Sequence, residues 1–325
     1  MDNLGTPAPQ SSDSSNPALT LPPGAPRPNP VFFNDRGLRA GWRILIYLLM
    51  VVLFSIALSA IVRKIHRFPP GLPTPSAMLF QEVSSFVLVF GCALIMSRVE
   101  RRSPGVYGLP AAETLGRKFW LGMLIGLAEI CALMGLISAF GGYSFGTLAL
   151  SPAGIIRWGL FHLLLFTFVG LFEEFAFRGY LQFTLADGIG FWPAAILLSL
   201  GFGAVHLTNP GEGPVGAASV ALYGTLLAFT LYRTGNLWYA VGLHASFDWG
   251  ETFLFSVPNS GVVMDGHLSN ALLHGPKWLT GASVGPEGSV FAFFTLTLQF
   301  FVVMWLFPKR QERSNSPVAL AERAA

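Results

Sequence analysis

From about residue 40 onward the chain is written in long apolar stretches broken by short polar ones. A helix crossing a hydrocarbon core of about 30 Å needs about 20 mostly apolar residues, and eight stretches approach or meet that length. Residues 44–62, 119–140, 215–232 and 288–307 are the clearest, and 78–97 carries only Glu82. Three more, 155–185, 189–206 and 236–257, keep the apolar background but are interrupted by Glu, His, Asp and Arg. The pattern predicts an all-α fold, a polytopic membrane bundle of about eight transmembrane helices.

Composition sharpens this reading. The chain has 325 residues, 52% hydrophobic and 11% charged, against about 25% charged in soluble domains. Lipid is the solvent such a balance suits. Residues 1–39 are rich in Pro, Ser, Asn and Gly and lack apolar periodicity, so they read as a flexible tail without a cleaved signal peptide. Residues 40–307 form the expected membrane domain, with its polar motifs in 173–248, and 308–325 a short basic tail. There is no repeat of 20 to 50 residues to suggest a solenoid.

Charge sets orientation and excludes one class of partner. With eight spans and the N-terminus inside, fourteen Lys and Arg fall in inner segments and five in outer ones (Arg63, Lys64, Arg67, Arg157 and Lys277), which by the positive-inside rule puts both termini in the cytoplasm. A multi-pass protein of the plasma (inner) membrane is expected. The net charge of +3 comes without a basic stripe interleaved with aromatics, so nucleic acid is not an expected partner. Cys92 and Cys131 both lie in apolar runs and read as small core residues.

Ionisable side chains are costly at membrane depth, about 2.5–3.5 kcal/mol each at a helix centre on insertion scales. They occur here in a pattern. The first motif is Glu173-Glu174-Phe175-Ala176-Phe177-Arg178. Glu174 and Arg178 are one helical turn apart in the favourable acid-before-base order and can neutralise one another. Glu173 points about 100° away and has Phe177 at its i+4 position, so its carboxylate stays available as a general base. Alone, this motif also fits the interfacial end of a span. The second is Phe202-Gly203-Ala204-Val205-His206, closing an apolar helix; a single His there also fits a cap. The third is His244-Ala245-Ser246-Phe247-Asp248, whose two polar residues share a face and could equally glue two helices. Three such coincidences on neighbouring spans are less economical than one site.

The ordered set EExxxR, FxxxH and HxxxD resembles the CPBP (Abi) family of CAAX proteases and bacteriocin-processing enzymes, whose eukaryotic members are the type II CAAX prenyl endopeptidases. The resemblance covers roughly residues 110–307, including the glycine-rich segment 280–288. It implies an intramembrane endopeptidase with Glu173, His206, His244 and Asp248 as catalytic residues, supported by Glu174, Arg178 and Phe202. Where the best-described prenyl endopeptidases carry Asn in the last motif, this chain has Asp248, and an acid donates a hydrogen bond only when protonated.

The expected chemistry is hydrolysis of a membrane-associated peptide or protein, of CAAX or leader-peptide type, by water held and deprotonated by Glu173 and His206. His244, with Asp248, would stabilise the oxyanion. No cofactor is required. A metalloprotease version would place Zn²⁺ on Glu173, His206 and His244, although the HExxH helix is absent. Two other classes use such residues: a proton-coupled transporter, and a non-catalytic scaffold or bacteriocin-immunity protein. Glu82 and Glu129 read as bundle glue, His162 as too far along its helix from Glu173 to join it, and His66, His267 and His274 as solvated. Gly170, Gly179, Gly201 and Gly203 read as points of close helix approach.

Overall fold

A computed structural model of the protein describes residues 29, 31–34, 37–65 and 74–308. The tail calls on 1–39 and 308–325 fall largely, and His66 entirely, outside the described residues. The fold is all-α. In chain order the helices are α1 (Ala40–Ile65), α2 (Pro75–Glu100), α3 (Arg117–Ala139), α4 (Pro152–Arg178), α5 (Tyr180–Ile189), α6 (Phe191–His206), α7 (Pro214–Thr234), α8 (Trp238–Trp249), the single turn α9 (Lys277–Thr280) and α10 (Val290–Leu306). Two strand pairs are minor: β1 (Phe33–Asn34) with β2 (Gly37–Leu38), and β3 (Tyr143–Ser144) with β4 (Leu272–Leu273), both antiparallel.

Helix ends follow from local sequence. The Thr74 hydroxyl accepts from the Ala77 N–H and Pro75 opens α2, while Ser151 and Pro152 do the same for α4, with Ser151 Oγ accepting from Gly154 N–H at 3.2 Å. Such oxygens satisfy backbone donors that have no partner inside the helix. α7 begins at Pro214 and stops at Gly235, whose φ of +79° suits the left-handed stop that glycine adopts freely.

Five segments are long and apolar enough to cross a membrane: Ala40–Lys64, Pro75–Glu100, Arg117–Ala139, Pro152–Ile189 and Pro214–Thr234. The remaining three of the eight expected stretches correspond to shorter helices, α6 with 16 residues, α8 with 12 and α10 with 17. The segment expected to span at 236–257 is therefore a short helix that runs into a π-helical turn at Gly250–Leu254. Every residue from Trp238 to Asp248 is buried. A helix buried on all sides needs no amphipathic stripe, which is why hydropathy could not separate it from a lipid-facing span.

α8 is packed by α3, α4 and α7. The approach to α3 depends on missing side chains: a Cβ at Gly122 or Gly126 would stand 2.2 Å from the carbonyl oxygen of Tyr239 or Leu243, and one at Gly242 would stand 2.1 Å from that of Phe119. Small residues let membrane helices approach to backbone contact. Of the four glycines expected to do this, Gly170 meets α8 with its Cβ position 3.0 Å from Val241 O, and Gly203 meets α7 at 2.5 Å from Ala217 O. Gly201 has nothing within 4 Å, and Gly179 lies against Phe175 of its own chain segment at the α4–α5 break. Those two do not mediate helix approach.

The outer faces are apolar, with Leu45, Leu49, Val52 and Leu53 of α1 and Phe294, Leu298 and Phe301 of α10 all exposed. On a monomeric soluble protein so much apolar surface would be anomalous; against acyl chains it is the natural outside. Cys92 is buried as expected, whereas Cys131 is on the exposed face of α3. A small apolar-compatible residue is tolerated on either side of a lipid-facing helix.

Candidate active site

α4 and α8 bring the first and third motifs together. The Glu174 carboxylate is fully buried, and its Oε1 lies 3.4 Å from Arg178 Nη1 one turn along α4. The same oxygen is 2.9 Å from Nδ1 of His244 on α8. Glu174 thus joins the expected intrahelical pair to the histidine of another helix, a link that the i,i+4 rule alone did not reveal. With Nδ1–H donating to Glu174, the other ring nitrogen is turned toward the remaining carboxylates. His244 Nε2 is 3.7 Å from Glu173 Oε2 and 3.5 Å from Asp248 Oδ2. Both separations exceed direct hydrogen-bond length, so the three groups bound a space in which Nε2 faces two acids.

Exposure separates the two glutamates. The side chain of Glu173 is 25% exposed and that of Glu174 0%. The carboxylate expected to be free is the one with access, and the carboxylate expected to be paired is sealed. Glu82 of α2 is half-buried and within electrostatic reach of Glu173.

Arg178 completes the inner side. Its guanidinium carbon lies 4.3 Å from the centre of the Phe202 ring, a cation–π contact that partly replaces lost hydration. Gly224 of α7 makes room for it, since a Cβ there would stand 2.5 Å from Arg178 Nη2. Phe202 also packs edge-on against Phe177 and against His206, with ring centres 5.0 and 4.6 Å apart.

His206 is brought to this neighbourhood but not into the acid cluster. It ends α6, half-exposed, with Nδ1 bonded to Phe202 O at 2.8 Å, so its Nε2 is free to meet another group. Among the described residues no carboxylate lies within ion-pair distance of it. Among the described residues no cluster of three or more His, Cys, Asp or Glu side chains is arranged to hold a metal ion.

Two participants were missed in the sequence. Tyr223 of α7 stands edge-on to His244, ring centres 5.5 Å apart at 82°; Gly224 beside it houses Arg178. Both sit in an uninterrupted apolar run, where a tyrosine or glycine gives no periodic signal. Of the other polar residues, Glu129 of α3 is buried, with Gln299 of α10 reaching its carboxyl from the neighbouring helix. His162 is wholly buried among Trp158, Phe166 and Phe253, and His274 contacts Ser144 at the surface.

A bundle of long apolar helices enclosing a Glu–His–Asp cluster defines a polytopic membrane protein with a buried polar centre. Residues 155–250 match the family model described as type II CAAX prenyl endopeptidase Rce1-like, which bears out the resemblance drawn from the motifs. The match runs from the first turn of α4 to the end of α8, and so takes in all three motifs. It points to a CAAX-type intramembrane protease within an integral membrane helical bundle. Comparison with curated proteins and with solved structures gave no match.

Proposed function

We propose that the protein is an intramembrane endopeptidase that hydrolyses a membrane-associated peptide segment with a water activated by Glu173. The observation that carries this reading is the placement of His244 Nε2 opposite Glu173 and Asp248 while Nδ1 is held by buried Glu174. Glu173, the more accessible acid, takes a proton from the water as it attacks the scissile carbonyl, and returns it to the leaving amine. His244, oriented by Glu174 and kept cationic in character by its acidic surroundings, donates to the oxygen of the tetrahedral intermediate. Arg178 balances the charge of Glu174 in the dry interior.

His206 is assigned to the water on the side of α6, through its free Nε2, when substrate draws α4 and α6 together. Apo geometry in catalytic sites is often looser than in the substrate complex. We place the active domain in 40–307, the substrate class with CAAX-type or leader-peptide segments, and both termini in the cytoplasm. Purified protein in liposomes, incubated with a lipid-anchored fluorogenic peptide, tests the reading. Wild type should cleave, while Glu173→Ala and His206→Ala, folded by circular dichroism and thermal melting, should each lose about 10²-fold or more in kcat. Unchanged cleavage in both variants sinks the assignment.

A further inference from the structure

Beyond the catalytic cluster, at the C-terminal end of α2, four charged side chains of alternating sign close a ring. Arg43 of α1 places Nη1 2.8 Å from Glu100 Oε2 and Nη2 2.8 Å from Asp187 Oδ2 of α5. Arg102, just past the end of α2, faces the same two acids at 3.7 and 3.2 Å. The Glu100 side chain is 7% exposed and that of Asp187 12%, so both charges depend on these partners. Two phenols join the ring at Glu100. The Tyr107 hydroxyl lies 3.3 Å from Oε2, and the Tyr180 hydroxyl donates to Oε1.

Tyr180 connects this ring to the chemistry. α4 ends at Arg178 and α5 begins at Tyr180, with only Gly179 between them. A Cβ at Gly179 would stand 2.4 Å from Phe175 O, so the elbow is tight. The last turn of α4 carries Glu174 and Arg178, the buried pair behind His244. Final turns of helices run out of onward hydrogen bonds and open at low cost. A pair that must orient an imidazole is therefore set where α4 is weakest, and something past the elbow has to hold it. Tyr180 is 0% exposed, stacked on Tyr47 of α1 with ring centres 4.4 Å apart and edge-on to Tyr107 at 4.9 Å. Its hydroxyl bonds to a carboxylate, and such charge-assisted bonds are about twice as strong as neutral ones.

We propose that Tyr180 is a positioning residue: its bond to Glu100 pins the last turn of α4 to the charged ring, and so fixes how Glu174 and Arg178 present His244 to the reaction. It does this without touching substrate. The ring is the fixed point and the phenol is the tether. The role in turnover rests on the hydrolase reading above, whereas the pinning of α4 does not.

The test uses the full-length protein in liposomes with the lipid-anchored peptide, and it separates tether from ring. Tyr180→Phe keeps the ring and the aromatic stacking but loses the hydroxyl, so kcat should fall about tenfold with KM unchanged, as when other partners that orient a reacting group are removed. Asp187→Asn weakens the ring on the side away from Tyr180, so it should lower the melting temperature and leave kcat near that of wild type. Combining Tyr180→Phe with Glu174→Gln should cost less than the product of the single losses, because both act through the same imidazole. Independently of activity, hydrogen exchange at the amides of residues 177–180 should quicken in Tyr180→Phe and not in Asp187→Asn. Wild-type kcat in Tyr180→Phe overturns the proposal, as do equal kcat losses in Tyr180→Phe and Asp187→Asn, which would reduce the phenol to one more stabilising contact. Fully multiplicative losses in the double variant overturn it as well. A wild type that cleaves nothing refutes the hydrolase reading instead, and the exchange rates alone then decide whether Tyr180 pins α4: unchanged exchange sinks the tether.

Discussion

His244 Nδ1 and Glu174 Oε1 lie 2.9 Å apart, and that same oxygen faces Arg178 at 3.4 Å. One buried carboxylate thus answers two cations from two helices. Removing it as Glu174→Ala leaves the Arg178 guanidinium in the interior without a counter-charge, and breaking such a pair costs about 3–5 kcal/mol. Glu174→Gln keeps an acceptor for His244 and should cost less. Thermal unfolding in detergent should rank wild type above Gln above Ala, and a Glu174→Ala protein as stable as wild type would show that the triad carries no structural energy.

The first and third motifs were legible because costly residues at one-turn spacing stand out against an apolar background. Glu174 with Arg178, and His244 with Asp248, fall on common faces by helical geometry alone. That Glu174 would also reach His244 was not legible, since 70 residues of chain separate them. Helix lengths were harder. α8 reads as a span because burial among helices and burial in lipid select the same residues. His206 is grouped with the acids by the coincidence of the three motifs and by the resemblance, and among the described residues the fold sets it against the Phe202 ring, which in turn packs on Arg178.

The α3–α8 seam gives a prediction with its own control. Gly242→Ala would put a methyl carbon 2.1 Å from Phe119 O, a backbone atom that cannot swing aside, whereas the Cβ of Gly201→Ala would meet nothing within 4 Å. The helices must separate in the first case, and overpacking of this kind costs about 1–3 kcal/mol. In the second, the helix loses only the flexibility of glycine and should gain about 0.5–1 kcal/mol. Melting temperatures of the two variants should move in opposite directions from wild type. A Gly242→Ala protein that melts with wild type would mean that the two helices are not in backbone contact.

Glu287 makes stability depend on pH. Burial pushes its carboxyl above the ordinary carboxylate range, an effect opposed by hydrogen bonds from Glu251 and the Ser260 N–H. The folded protein therefore holds this proton to higher pH than the unfolded chain does. Its contribution is fully present below the unfolded carboxyl range and is lost as pH rises through the raised value. Melting temperature should fall over that window in wild type, and Glu287→Gln, which keeps a neutral side chain, should flatten the fall. If the substituted protein shows the same slope, some other group is responsible.

Asp248 closes the third motif, and the geometry makes its role testable. Its Oδ2 lies 3.5 Å from His244 Nε2, on the side of the ring that faces Glu173 rather than Glu174. Two roles are available there. As a carboxylate it could only attract a cationic imidazole; as a neutral acid it could donate to the oxyanion, as an amide does. Glu174 already supplies the attractive role at Nδ1, so the vacancy on the Nε2 side is for a donor. Asp248→Asn should then keep kcat within a few-fold of wild type, while Asp248→Ala, which has no donor, should lose about 10²–10³-fold, the usual cost of one oxyanion contact. The pH profile separates the roles further: a donor carboxyl fails once it ionises, so the alkaline decline of wild-type activity should set in at lower pH than that of the asparagine variant, in which only His244 is left to lose its proton. Should Asp248→Asn be as inactive as Asp248→Ala, the negative charge itself is required and the donor role is wrong.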